Sequence, residues 1–275
     1  MKKFFIYLLL TVVLGCTVFV SCKKVNTKTG PQEKVVTLTE AQRTLLKRCI
    51  TEQNKKSPFL FGTIGTVKHM ALKGQHMRMF VELNPVFYKT EDISKDPEVF
   101  RKTLLDNLYM MDDAFDPMFE TLADNEVGLR IELSSDAYEG IFEMYFSPEE
   151  LDSISKAKSD CIDPAVVLDH HAAAFNLSLP SRQHPSAILE SVEFTKTYII
   201  YNFTVDEPQG NEMHRLRSGK MIYGSKILKS LHSSPDPTVQ NLVMLCRQAH
   251  RRVAYKFTGE KSGIQVTIFF YLTPA

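Results

Sequence analysis

Two Asp-Pro pairs, Asp116-Pro117 and Asp236-Pro237, stand 120 residues apart and constrain the fold more than any other feature of this chain. An aspartate side chain accepts hydrogen bonds from the free amides of a helix's first turn. Proline suits the first helical position because no amide donor is needed there. Each pair therefore predicts a helix start, and Leu122 and Leu242 follow at the same offset. The surrounding elements correspond. Met79, Val81 and Leu83 alternate with Arg78, Phe80 and Glu82, which predicts a hairpin of 62–72 and 76–83 turning at Lys73-Gly74-Gln75. Its counterpart is 187–194 with 198–205. A helix follows each hairpin, over 97–111 (capped by Asp96) and 220–231, and the Asp-Pro helices cover 117–123 and 237–250. Strand pairs 128–133 with 141–146, and 252–257 with 264–272, close the units. Leading helices run over 40–54, with a Thr39/Gln42 capping box, and over 165–175, started by Asp163-Pro164.

Each unit thus reads α–ββ–αα–ββ, and the expected class is α+β: two tandem similar units, each of antiparallel strand hairpins with helices packed on one face. The boundaries are 36–147 and 163–275, joined by a linker over 148–162 where Pro148, Glu149, Glu150 and Asp152 interrupt the pattern. In layout this resembles the tandem helix-and-sheet repeats of the β-lactamase inhibitor proteins, although no motif is shared and the strand order differs. The resemblance implies a partner held on a concave surface between repeats.

The chain starts with an export signal. Lys2 and Lys3 precede an apolar run from Phe4 that stays almost uncharged through Val20. Val13-Leu14-Gly15-Cys16 and Phe19-Val20-Ser21-Cys22 both resemble the lipobox of bacterial lipoproteins, in which a small residue precedes a cysteine that is diacylated and becomes the new N-terminus. Cutting at Cys16 leaves the apolar stub Thr17-Val18-Phe19-Val20, whereas Cys22 uses the whole run and places Lys23 and Lys24 after the lipid. Cys22 is favoured as the lipidation site; Cys16 and an uncleaved membrane anchor are the alternatives. The resemblance implies a signal peptide over 1–21, a palmitate-bearing membrane anchor and a cell-envelope location, with 22–35 as a polar tether. Lysines after the cysteine, rather than acids, favour a periplasm-facing position.

Without Lys2 and Lys3 the chain carries 31 basic and 32 acidic residues, but they are segregated. Residues 22–84 have a net charge of +8, 85–152 of −13 and 186–275 of +4. The acidic block suits solvated helix faces, a cation site, a basic partner, or the chain's own basic parts. The basic segments are diffuse, which argues against nucleic acid as a partner. Cys49, Cys161 and Cys246 remain besides the lipidated cysteine. Cys49 and Cys246 fall on apolar stripes as buried thiols, with one disulfide as the alternative.

Several clusters invite a chemical reading. Asp169-His170-His171 after Val166-Val167-Leu168 resembles the signature of DHH phosphoesterases, which implies paired metal ions. In that family the triplet ends a strand; here Pro164 and Ala172-Ala173-Ala174 predict a helix, on which three successive side chains cannot converge. His69-Met70 and His76-Met77-Arg78-Met79 carry ligand types that suit copper, yet on a strand His76 lies opposite Met77 and Met79. Asp112, Asp113, Asp116 and Glu120 offer oxygens to calcium, but with Asp116 used as a cap. Arg247, Arg251 and Arg252 complement a helix C-terminus or grip an acidic glycan or phosphate. Asp152-Ser153-Ile154 resembles a bacterial O-glycosylation acceptor and implies an exposed linker. No phosphate loop, Gly-x-Ser-x-Gly or His-Glu-x-x-His occurs. No catalytic residue, metal ligand or cofactor is assigned.

The resulting expectation is a non-enzymatic envelope lipoprotein, anchored to the membrane by lipid, whose body binds a protein or glycan in a groove between its units beside the acidic segment. The alternative is an envelope hydrolase or a copper- or calcium-handling protein.

Overall fold

The computed structural model describes residues 28–29, 37–74, 76–136, 138–157 and 162–272. Cys16, Cys22, most of the tether and Cys161 lie outside the described residues. Two compact units meet in sequence at Ile162/Asp163. The first contains β1 (Lys28–Thr29), α1 (Glu40–Asn54), β2 (Phe59–Phe61), β3 (Gly65–Lys73), β4 (His76–Leu83), α2 (Thr90–Ile93), α3 (Pro97–Tyr109), α4 (Asp116–Asp124), β5 (Leu129–Ser135), β6 (Tyr138–Phe146) and α5 (Pro148–Lys156). The second contains α6 (Pro164–Asn176), β7 (Ser181–His184), β8 (Ala187–Phe194), β9 (Tyr198–Val205), α7 (Glu212–Ser218), α8 (Lys220–His232), α9 (Pro237–Gln248), β10 (Arg252–Gly259) and β11 (Gln265–Phe270).

The class is α+β with two similar sheet units. The sheets have the orders β1-β6-β5-β4-β3-β2 and β11-β10-β9-β8-β7. The alternating segments form antiparallel hairpins, β3–β4, β5–β6, β8–β9 and β10–β11. The hairpins of a unit meet through a parallel seam, β4 on β5 and β9 on β10. A parallel seam needs a long crossover, and the helices between the hairpins supply it. Met77, Met79 and Val81 of β4, Leu129 and Ile131 of β5 and Met144 of β6 are buried on one face, together with Phe100, Leu104 and Phe119 of the helices. In the second unit Val253, Phe257, Ile268 and Phe270 are buried, as are Val167, Leu168 and Leu242.

The duplication extends to backbone devices that alternation does not reveal. β2 pairs with β3 only as far as Val67, and β7 with β8 only as far as Leu189. Beyond those points an asparagine at the end of the leading helix completes the sheet edge. Asn54 donates to the carbonyl of Met70 and accepts from its amide, both at 2.8 Å. Asn176 does the same to Val192, again at 2.8 Å. Each clamp lies just past a register shift, between Val67 and His69 or between Leu189 and Ser191. The helices α4 and α9 end alike: Glu126 and His250 adopt positive φ, and the next amide reaches back to Leu122 or Cys246 at 2.8 Å.

That shared ending corrects the alignment drawn from the Asp-Pro pairs. Leu122 corresponds to Cys246 rather than to Leu242, so α9 carries about one extra turn at its start. Asp236 caps its helix by accepting from the Thr238 amide, at 2.8 Å. Asp116 instead is the first helical residue, and Asp112 caps the short turn before it through the Ala114 amide, at 2.9 Å. The stretch 148–156, expected as linker, is a helix of the first unit. Ser147 and Glu150 form a capping box, and Leu151 and Ile154 are buried. Pro148 therefore opens a helix where it was read as a break, and the Ser153 hydroxyl bonds the Glu149 carbonyl on that helix.

Replacing Asn54 or Asn176 by alanine removes two hydrogen bonds to edge backbone and leaves both groups unpaired. Urea unfolding should show a loss of about 1–3 kcal/mol for each variant. Losses near zero for both would show that the clamps contribute nothing.

Candidate functional site

The two sheets carry equivalent outer faces, opposite their buried ones, and these faces differ in how their charges are satisfied. In the first unit Arg78 pairs with Glu132 and stands 3.6 Å from Glu143, while Arg130 reaches Glu143 at 3.0 Å. His69 stacks on Phe80, and His76 meets Tyr145 edge-on. Arg130 and Glu132 are almost buried, and their charges are matched within the face.

Sheet register gives the counterparts. Arg130 lies opposite Tyr145 as Ala254 lies opposite Phe269, and Glu132 lies opposite Glu143 as Lys256 lies opposite Thr267. Arg78 neighbours Arg130 as Ile200 neighbours Ala254. The four-residue ion cluster of the first unit is therefore Ile200, Ala254, Lys256 and Thr267 in the second. Among the described residues no carboxylate pairs with Lys256. Aromatic rings take the remaining places: Tyr198 packs against Phe269 at 5.3 Å, and the Arg252 guanidinium lies 4.6 Å from the Tyr271 ring and 5.9 Å from that of Tyr198.

This face continues onto the edge of the sheet. Lys220, at the start of α8, lies 5.7 Å from the Phe269 ring. Gly224 of the same helix approaches Ile268 closely. Met221 and Ile222, between them, are 82% and 62% exposed, and Phe269 and Tyr271 are 48% and 55% exposed. The β10–β11 turn is held firmly: Glu207 accepts from the amides of Lys261 (3.0 Å) and Ser262 (2.7 Å) and from the Ser262 hydroxyl (2.8 Å). Those bonds keep its carboxyl below the usual range. An exposed cluster of large apolar and aromatic side chains rimmed by cations has the composition of a protein-recognition surface. Sequence reasoning missed it because the aromatic residues come from β9, β11 and the segment after β11, and their assembly depends on the parallel seam.

The clusters singled out from sequence are dispersed. Asp169 is about half exposed and pairs with Arg251 at 3.4 Å, while His171 is buried in the helix stripe beside Phe175. Met77, Met79 and Met70 are core residues, and His76 and His69 lie on the outer face. Burial, then the neighbouring Asp113, Glu120 and Asp112, push the Asp116 carboxyl up. Among the described residues no three His, Cys, Asp or Glu side chains are placed to hold a metal. The arginine run divides: Arg247 donates to the Leu272 carbonyl, Arg251 to that of Thr195, and Arg252 faces the aromatic rings. Several of the acids in 85–152 are used within the first unit, Glu150 by Arg101, Asp92 by Lys95 and Asp152 by Lys156. Cys49 and Cys246 are free thiols, and burial pushes Cys246 up to about 12. A cleft of about 230 Å³ beside Lys56, Asn107, Asp112 and Phe115 is smaller than typical small-molecule sites of roughly 300 Å³ and above.

No family model matches this chain, and no curated protein matches it. Among solved structures it is similar to a candidate secreted protein from Pseudomonas aeruginosa, with 17% identity and a TM-score of 0.32 over 39% of this chain and 88% of that one. A likeness that loose bears on neither fold nor function. No helix of the described residues is long and apolar enough to cross a membrane.

Burial lowers the His171 pKa from 6.5 to about 3. Below pH 6.5 the unfolded chain takes up a proton that the folded chain refuses, so stability falls with pH through that window. The loss is about 1.4 kcal/mol per pH unit. Between about pH 6.5 and pH 5 the wild type should lose about 2 kcal/mol more than a His171→Leu variant. Parallel stability curves would show that His171 titrates normally.

Proposed function

We propose that this chain is a lipoprotein of the bacterial cell envelope, carried at its membrane by acyl chains on Cys22 and facing the periplasm. Its body is a non-enzymatic binding module for a protein or glycan partner. The observation that supports binding is the outer face of the second unit. The same scaffold closes that face with four matched charges in the first unit and leaves aromatic rings and unmatched cations in the second. The membrane reading rests on the Lys2-Lys3 start, the apolar run and the small residue before Cys22. An adaptor held by a lipid stays near its membrane, so a rigid exposed face is enough to recruit a partner there without chemistry of its own.

Two measurements test the two parts. Metabolic labelling with an alkyne fatty acid should mark the wild type and the Cys16→Ala variant but not Cys22→Ala. Label lost only in Cys16→Ala would move the cut to Cys16, and an unlabelled wild type would refute the anchor. Cross-linked capture from cells should lose its enriched partner when Phe269 and Tyr271 are both replaced by alanine, by about tenfold or more, as for buried aromatic anchors. Glu98→Lys, at an exposed position of α3 in the first unit, should leave capture unchanged. Equal capture by the double variant would remove this face from the proposal.

A further inference from the structure

The two sheets present four edges, and three of them are short or partly covered. β2 and β7 span only three and four residues, and asparagine clamps finish the edges they leave. β6, nine residues long, is paired by β1 at two of them, Lys28 parallel and opposite Glu143 and Thr29 opposite Met144, and it carries Glu139 and Gly140 along the rest. The fourth edge, β11, runs six residues without charge, proline or glycine, and no described strand pairs with its outer side. Edges of that kind are templates for another strand, and proteins ordinarily guard them with lysine, proline or a cover.

Register identifies the open slot. Met144 pairs with Ile131 and Glu143 with Glu132, as Ile268 pairs with Tyr255 and Thr267 with Lys256. The place that β1 occupies on β6 is therefore the place beside Thr267 and Ile268 on β11. Among the described residues no equivalent segment fills it. β1 begins 12 residues before α1, and the same interval before α6 falls at Asp152 in α5, a helix of the first unit.

Charge selects the occupant. Lys256 and Arg252 stand on the outer face of β10, Lys220 lies by Phe269, and the outer positions of β9, β10 and β11 hold no carboxylate. A second copy paired strand to strand would add more cations to the same face. We propose that β11 accepts an extended segment of a partner protein, running parallel to it beside Thr267 and Ile268, with carboxylates facing Lys256 and Arg252 and apolar side chains against Met221 and Ile222. This rests on the reading that this face of the second unit binds a partner. Main-chain hydrogen bonds supply affinity in strand addition and alternate side chains supply selectivity.

The test uses the detergent-solubilised full chain and the fluorescence anisotropy of short labelled valine–threonine peptides. One peptide carries aspartates on the threonine face and another carries lysines there. Two more aspartate peptides are N-methylated, each along one edge. The aspartate peptide should bind about tenfold more tightly than the lysine peptide, and Lys256→Glu should reverse that preference. Methylation along one edge should abolish binding, and along the other should leave it intact. Absence of binding by either charge form, or indifference to methylation along both edges, overturns strand addition. A dimer in solution that dissociates in Phe269→Lys overturns it too, by giving the edge to a second copy. Failure of the peptides, with cellular capture still lost in the Phe269/Tyr271 double variant, refutes strand addition alone. Unchanged capture in that variant refutes the surface itself.

Discussion

Backbone groups at the edge of a sheet must find partners, and the two units of this chain solve that requirement in the same way until the last strand. An asparagine side chain offers amide N–H donors beside a C=O acceptor, the groups that a strand's backbone offers, so Asn54 and Asn176 each continue a strand that has run out. That substitution ties the end of the leading helix to the second strand of each sheet and sets how the helix lies on it. The register shift beside each clamp re-aims the strand, and the buried face that follows meets the helices of the crossover. The closing hairpin then joins through the parallel seam, β4 on β5 or β9 on β10; its outer strand takes β1 as a further partner in the first unit and no described strand in the second.

From this common frame the units diverge on their outer faces. Glu132 in the first unit and Lys256 in the second occupy one position, and that change removes the nearer of the two acids that hold Arg78. With Ile200 and Ala254 at the two arginine positions, the second face has no ion cluster to build. His76 and Tyr145 remain recognisable as Tyr198 and Phe269, but the latter ring is half exposed. The first unit thus spends this face on internal pairing, and the second keeps it available. The firm β10–β11 turn, fixed by Glu207, means that little ordering cost remains when something docks there.

Much of the architecture was legible from residue patterns because its signals are local. Period-two alternation located the four hairpins, and Thr39, Asp96, Asp163 and Asp236 marked helix starts through bonds that they do make. The Asn-x-x-x-Pro spacing at Asn54-Pro58 and Asn176-Pro180 was a second copy of the repeat signal, and it marks the clamps. Short edge strands escaped because three residues such as Phe59–Phe61 show no period. The parallel seams escaped for a different reason: pairing between strands distant in sequence leaves no mark in either one. Ser147-Pro148 fits both a helix start and a break in the pattern, and only the capping box and the buried Leu151 and Ile154 decide between them. The candidate surface depended on the seams, because only β9 beside β10 brings Tyr198 within reach of Arg252 and Phe269. The separation of Asp169 from His171, by contrast, followed from helical spacing alone.

Strand addition requires β11 to be open at the positions where β1 pairs with its counterpart β6. Amide hydrogen exchange of the full chain, followed residue by residue, measures this directly. The outward amides of β11 should exchange far faster than those of β6 at Glu143 and Met144, and should slow when a strand peptide is added. Protection of β11 equal to that of β6 in the free, monomeric protein would mean that the edge is already paired, and would contradict the account.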